Sequence, residues 1–120
     1  MEGDKLLSIN IEFHKGILFI RLDGELTKNT IDKLKNDVTN MIKDNGIRNI
    51  VFNMSNLNCI DYYGINALLN NYEICHNNKG RSLMCGISDS VIGHQIRNSR
   101  LLNYMNETSD ELTAINALNL

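Results

Sequence analysis

The chain has 120 residues, 42% of them apolar, enough for one core and one independently folding domain, 1–120. Its formal charge of −2 excludes the basic footprint of a nucleic-acid binder, so no nucleic-acid partner is expected. No apolar run approaches the ~20 residues that span a bilayer, so direct membrane insertion is not expected either.

The segment LLSINIEFHKGILFIRLDGEL predicts a β-hairpin. Leu7, Ile9, Ile11 and Phe13 alternate with polar residues, and after His14-Lys15-Gly16 come Leu18, Ile20 and Leu22. Ile17 and Phe19 make the second arm apolar on its other side too, as expected of a strand covered on both faces. Asp23-Gly24-Glu25-Leu26 closes it. A helix follows, with Ile31, Leu34, Val38, Met41 and Ile42 as its apolar stripe, Asn29 as N-cap and Asn45-Gly46 as stop.

IRNIVFNM, 47–54, is a nearly continuous apolar run, the pattern of a buried parallel strand. NLNCID is expected to be a loop. A second helix is predicted over 62–78, with Ile65, Leu68, Leu69, Tyr72 and Cys75 facing inward. RSLMCGI, 81–87, predicts another buried strand. SDSVIGHQIRNSRLLNY predicts a third helix with Val91, Ile96 and Leu101 in the core, followed by a short strand near 102–105. ETSDELTAINAL predicts a final helix capped by Ser109, with Ala114, Ile115 and Leu118 inward. Helices alternating with strands after a hairpin give an α/β fold with a mixed sheet, whose binding surface gathers where strands hand over to helices. The segments 23–29, 55–64 and 86–90 are then the candidates.

Little in these segments points to catalysis. Asp23, Glu25 and Asp61 would converge at strand ends, but no basic or nucleophilic partner accompanies them. His14, His76 and His94 have no metal-ligand spacing, and GxxxxGK[ST] is absent, so neither metal nor cofactor is expected. Cys59, Cys75 and Cys85 lack CxxC spacing and read as buried, reduced thiols of a cytoplasmic protein, consistent with MEGDKLLSIN lacking the features of a secretory signal. Asp61 is placed to cap the helix by accepting from the amides at 63 or 64. Gly64 removes a side chain where something must come close. Tyr62 and Tyr63 point different ways from adjacent helical positions, so at least one phenol is expected at the surface, where tyrosine favours interfaces.

GEL at 24–26, NIVFNMSNLNCIDYYGINALL at 49–69 and LMCGIS at 83–88 together resemble STAS domains, most closely bacterial anti-sigma factor antagonists. Asn53-Met54-Ser55 matches the family's D-L-S, and Asp61-Tyr62-Tyr63-Gly64 matches its D-S-S-G. The resemblance implies a STAS-like mixed sheet of four or five strands flanked by about four helices. It also implies a regulatory protein without catalysis that docks on a kinase-type anti-sigma factor, which phosphorylates the first serine of D-S-S-G to break the complex. Tyr62 stands at that phospho-acceptor position and Tyr63 at the second serine, so ordinary serine switching is not expected here. The implied partner-binding residues are Asp23, Gly24, Glu25, Asp61, Tyr62, Tyr63, Gly64, Asn66 and Ser88. Alternatives left open are a STAS subunit of a transport or scaffold assembly and a nucleotide-binding sensor.

Overall fold

A computed structural model of the chain describes residues 6–118. Five strands, β1 (Leu7–His14), β2 (Ile17–Leu26), β3 (Asn49–Ile60), β4 (Ser82–Cys85) and β5 (Asn106–Thr108), lie side by side in sequence order. β1 runs antiparallel to β2, and the β2–β3, β3–β4 and β4–β5 pairs are parallel. Four helices connect and cover them: α1 (31–45), α2 (Tyr62–Asn77), α3 (Ser90–Arg97) and α4 (Glu111–Leu118). The α/β architecture and mixed sheet expected from the sequence are therefore present.

The two-sided apolar pattern of β2 has the predicted cause. Leu18, Ile20 and Leu22 enter a large core with Leu34, Val38 and Ile42 of α1, Leu68 and Cys75 of α2, and Ile92 and Ile96 of α3. Ile17 and Phe19 enter a smaller cluster with Val51, Leu83, Ala114 and Leu118, so α4 covers the opposite face. Arg21 fastens α4 there by a paired hydrogen bond to Glu111, Nε to Oε2 at 2.7 Å and Nη2 to Oε1 at 2.8 Å.

Several local expectations are corrected. NLNCID is not a loop: β3 continues to Ile60 and pairs with Asp23–Leu26 through two register shifts. Beyond Asn53 it has no β4 residue beside it, so Asn56 and Asn58 face solvent while Leu57 and Ile60 are buried. Asn29 is not the cap of α1; Thr30 holds that position, and its hydroxyl accepts from the Thr27 N–H and donates to the Glu25 carbonyl instead. Met41 lies on the exposed side of α1, and Phe13 is exposed at the far end of β1. The third helix stops at Arg97, and a 3-10 turn at Leu101–Asn103 carries Leu101 inward. In α3, Ile92 rather than Val91 faces the core. The last strand is 106–108, not 102–105. At the head of α4 the carboxylate of Asp110, not Ser109, accepts from a backbone amide, that of Thr113, and Ile115 is exposed.

Candidate functional site

The carboxyl ends of β2 and β3 meet the N-terminus of α2, the position where α/β sheets build sites. Asp61 is the hinge of this junction. It takes an extended conformation, its Oδ1 accepts from the Gly64 N–H at 2.9 Å, and its Oδ2 accepts from the Lys28 N–H at 3.0 Å. One carboxylate thus caps α2, as expected, and fastens the β2–α1 loop to it. The loop is stiff by itself, because the Thr27 carbonyl accepts from the amides of both Thr30 and Ile31, and the Thr27 hydroxyl accepts from the Asn29 N–H.

Gly64 is required by the same junction. A Cβ there would stand 2.1 Å from the Leu26 carbonyl oxygen and 2.9 Å from Ile60 Cγ1. The close approach foreseen for this glycine is made by the chain itself, and Gly64 is buried. Gly24 behaves similarly: its φ of +119° and a Cβ position 2.2 Å from the Leu6 carbonyl oxygen leave room for glycine alone.

Pinning Asp61 and Gly64 presents the two tyrosines outward. Tyr62 is 73% and Tyr63 46% exposed. Their rings meet edge to face at 5.9 Å between centroids, and Lys28 Nζ sits 5.6 Å from the Tyr63 ring centroid. Asp23 and Glu25 lie on β2, the strand beside β3, opposite Asn56 and Cys59 of β3, with Asp23 exposed and Glu25 half-buried. Asn66 is exposed one turn beyond Tyr62. Ser88 is also exposed, but among the described residues no hydrogen bond ties it to 61–64. Its neighbour Asp89 caps α3 instead, accepting from the Val91 and Ile92 amides.

The element that flanks the turn is α3, which the sequence reading did not bring to it. Gln95 Nε2 donates to the Ile60 carbonyl at 2.9 Å, closing a cleft of about 540 Å³ between α2 and the α3 segment. Ile60, Ile65 and Leu69 form its floor, with Tyr62 on one wall and His94 and Arg100 on the other. In sequence, His94 and Arg100 are indistinguishable from ordinary surface residues of an amphipathic helix. Among the described residues no group of three or more His, Cys, Asp or Glu residues could hold a metal ion, and no helix is long and apolar enough to cross a membrane.

An α/β domain with a helix N-terminus pinned to two parallel strand ends is the class that these observations define. The STAS domain model matches residues 8–114, and the chain belongs to the STAS domain family. An anti-sigma F factor antagonist from Paenibacillus polymyxa is 29% identical over 85 residues, covering 71% of this chain and 73% of that protein. Among solved structures, the anti-sigma factor antagonist SpoIIAA in its unphosphorylated form superposes with a TM-score of 0.72 at 17% identity, covering 93% of this chain and 98% of that one. The Bacillus cell fate determinant SpoIIAA in its phosphorylated form gives 0.71 at 20% identity, covering 92% and 98%. At such identities the superpositions speak for the fold, and with the sequence match they make this an anti-sigma factor antagonist-like STAS domain.

Proposed function

We propose that the chain is a non-catalytic regulatory module that docks on a kinase-type anti-sigma factor through the turn at Asp61–Gly64. Tyr62 and Tyr63 would be its aromatic anchors, with Asn66 beside them and Asp23, Gly24, Glu25 and Ser88 at the rim. The observation carrying this reading is the outward pair of phenols, 73% and 46% exposed, on a turn that Asp61 and Gly64 hold rigid. Exposed aromatic side chains on a preorganised support lose little entropy on binding, the property that makes tyrosine common among interface hot spots.

The same reading removes the serine switch. Where the resembling pattern has D-S-S-G, residues 62 and 63 are phenols, whose oxygens lie several ångströms farther from the backbone than a serine hydroxyl. A kinase positioned on a short hydroxyl would find none there, so docking would not be broken by phosphoserine at this turn.

The test is calorimetric titration of the full chain against the kinase-type anti-sigma factor of the same organism, comparing wild type with Tyr62→Ser/Tyr63→Ser. Both side chains are exposed, so the double variant should keep its stability within about 0.5 kcal/mol. Its affinity should shift by about ten-fold or more, ~1.4 kcal/mol. Equal affinity of the two proteins would refute the docking surface.

A further inference from the structure

The cleft beside Tyr62 has properties that the docking surface does not use. Its volume of about 540 Å³ falls in the range of small-molecule sites, roughly 300–1,000 Å³. Its floor is apolar, with Ile60 and Ile65 buried and Leu69 half-buried.

Most polar groups around this floor are already engaged. Both oxygens of Asp61 accept backbone N–H groups, Gln95 donates to the Ile60 carbonyl, and Asn98 Nδ2 bonds His94 Nε2 at 2.8 Å. The Ser99 hydroxyl donates to the Ile96 carbonyl. Three side chains on the cleft, all exposed, make no hydrogen bond to another described residue: the hydroxyl of Tyr62, the carboxamide of Asn66 and the guanidinium of Arg100. Arg100 also forms no ion pair among the described residues. Glu73 lines the adjoining hollow with it and remains unbonded to it.

An arginine fork without a carboxylate partner, set against an apolar floor, is complementary to a planar anion attached to an apolar body. The Asp61 carboxylate lines the same cleft with both oxygens held by backbone N–H groups, and its charge works against the attraction of Arg100.

We propose that this cleft binds a small organic carboxylate with an aromatic or short aliphatic body. The carboxylate pairs with Arg100, and the body lies on Ile60, Ile65 and Leu69 with the Tyr62 ring as a wall. Asn66 offers its amide to the same anion from the α2 side. The cleft shares Tyr62 and Asn66 with the docking surface, but the proposal does not rest on docking, since no protein partner enters the argument.

The experiment is an amide-resolved NMR titration of the full ¹⁵N-labelled chain with 3-phenylpropionate and, separately, with its neutral amide. Shifts from the carboxylate should concentrate on 65–66 and 94–100, with affinity about ten-fold above that of the amide. Arg100→Gln, an exposed substitution whose unchanged spectrum would verify folding, should bring acid and amide to equal affinity. Tyr62→Ser should weaken both probes while preserving their ratio. No shift at millimolar probe, shifts outside the cleft, or equal affinity for acid and amide in the wild type would each overturn the proposal. None of these outcomes touches the docking reading, because the anti-sigma factor is absent from the assay.

Discussion

Removing the Asp61 carboxylate tests how the candidate surface is held. In Asp61→Ala two hydrogen bonds disappear, one to the Gly64 amide at 2.9 Å and one to the Lys28 amide at 3.0 Å. Loss of an N-cap acceptor with its charge at the helix N-terminus costs about 1.5 kcal/mol. The tie to the Lys28 amide, half-screened by solvent, adds about 1 kcal/mol. The expected total is about 2.5 kcal/mol, a fall in Tm of ~10 °C for a domain of this size. Asp61→Ser separates the two contributions. A serine hydroxyl still caps the helix but is too short and has too few acceptors to reach Lys28 as well, so about 1 kcal/mol should be lost. Urea denaturation of the three proteins, with m-values shared, measures this directly. The Lys28 amide resonance should move in both variants and the Gly64 amide mainly in the alanine one. A serine variant as unstable as the alanine variant, or an alanine variant within about 0.5 kcal/mol of wild type, would refute the bridging role.

Two further outcomes follow from the groups behind the site. The Glu111 carboxyl lies below its ordinary value of 4.5, held there first by Arg21, with burial opposing and Asn53 assisting. A carboxylate depressed in the folded state stabilises above its unfolded pKa and loses that contribution as pH falls through the folded value. Glu111→Gln should therefore melt lower than wild type at about pH 7, and the gap should close as pH falls below about 4.5; a gap constant down to about pH 3 would contradict the Arg21 clamp. Among the thiols, burial pushes Cys75 up to about 11 and Cys85 up to about 12, while Cys59, contrary to the expectation of three buried thiols, is exposed near the end of β3, where the strand has no β4 residue beside it. Iodoacetamide should modify Cys59 alone in the native protein and all three cysteines in urea, and native modification of Cys75 or Cys85 would show that the core opens there.

Where burial is complete on both sides, periodicity carried the fold. β2, the first part of β3 and β4 were legible because continuous apolar runs have few alternatives. β3 past Asn53 was not, since a strand with one neighbour keeps asparagine on its open side at little cost, and Asn56 and Asn58 then resemble a loop. The head of α2 was legible because Asp61 and Gly64 have local chemistry: a cap acceptor and an absent side chain. Asn29 misled for a related reason. It is a good cap by type, yet Thr30 already satisfies this turn through Thr27 and Glu25. The cleft was invisible because it depends on how α3 leans on Ile60, through a single glutamine whose partner is a backbone carbonyl 35 residues away. Asn53 carries a similarly hidden constraint: its amide donates to Glu111 at 2.8 Å while its oxygen accepts from Ser55, a division of labour that an aspartate lacks.

The middle of α1 is a π turn, Lys35–Thr39, between regular segments Ile31–Leu34 and Asn40–Asn45. Leu34 and Ile42 are eight positions apart and both wholly buried, although eight steps of a regular helix would leave them about 80° out of phase. The wider turn absorbs one residue and restores the separation that seven regular steps would give. α1 therefore carries a spare residue in its outward bulge at Lys35, Asn36 and Asp37, all exposed. Losing one of these would close the bulge into an unbroken helix while leaving Leu34 and Ile42 where they are. Within α1 the chain thus has one residue of slack, and it lies on the side of the helix away from the sheet.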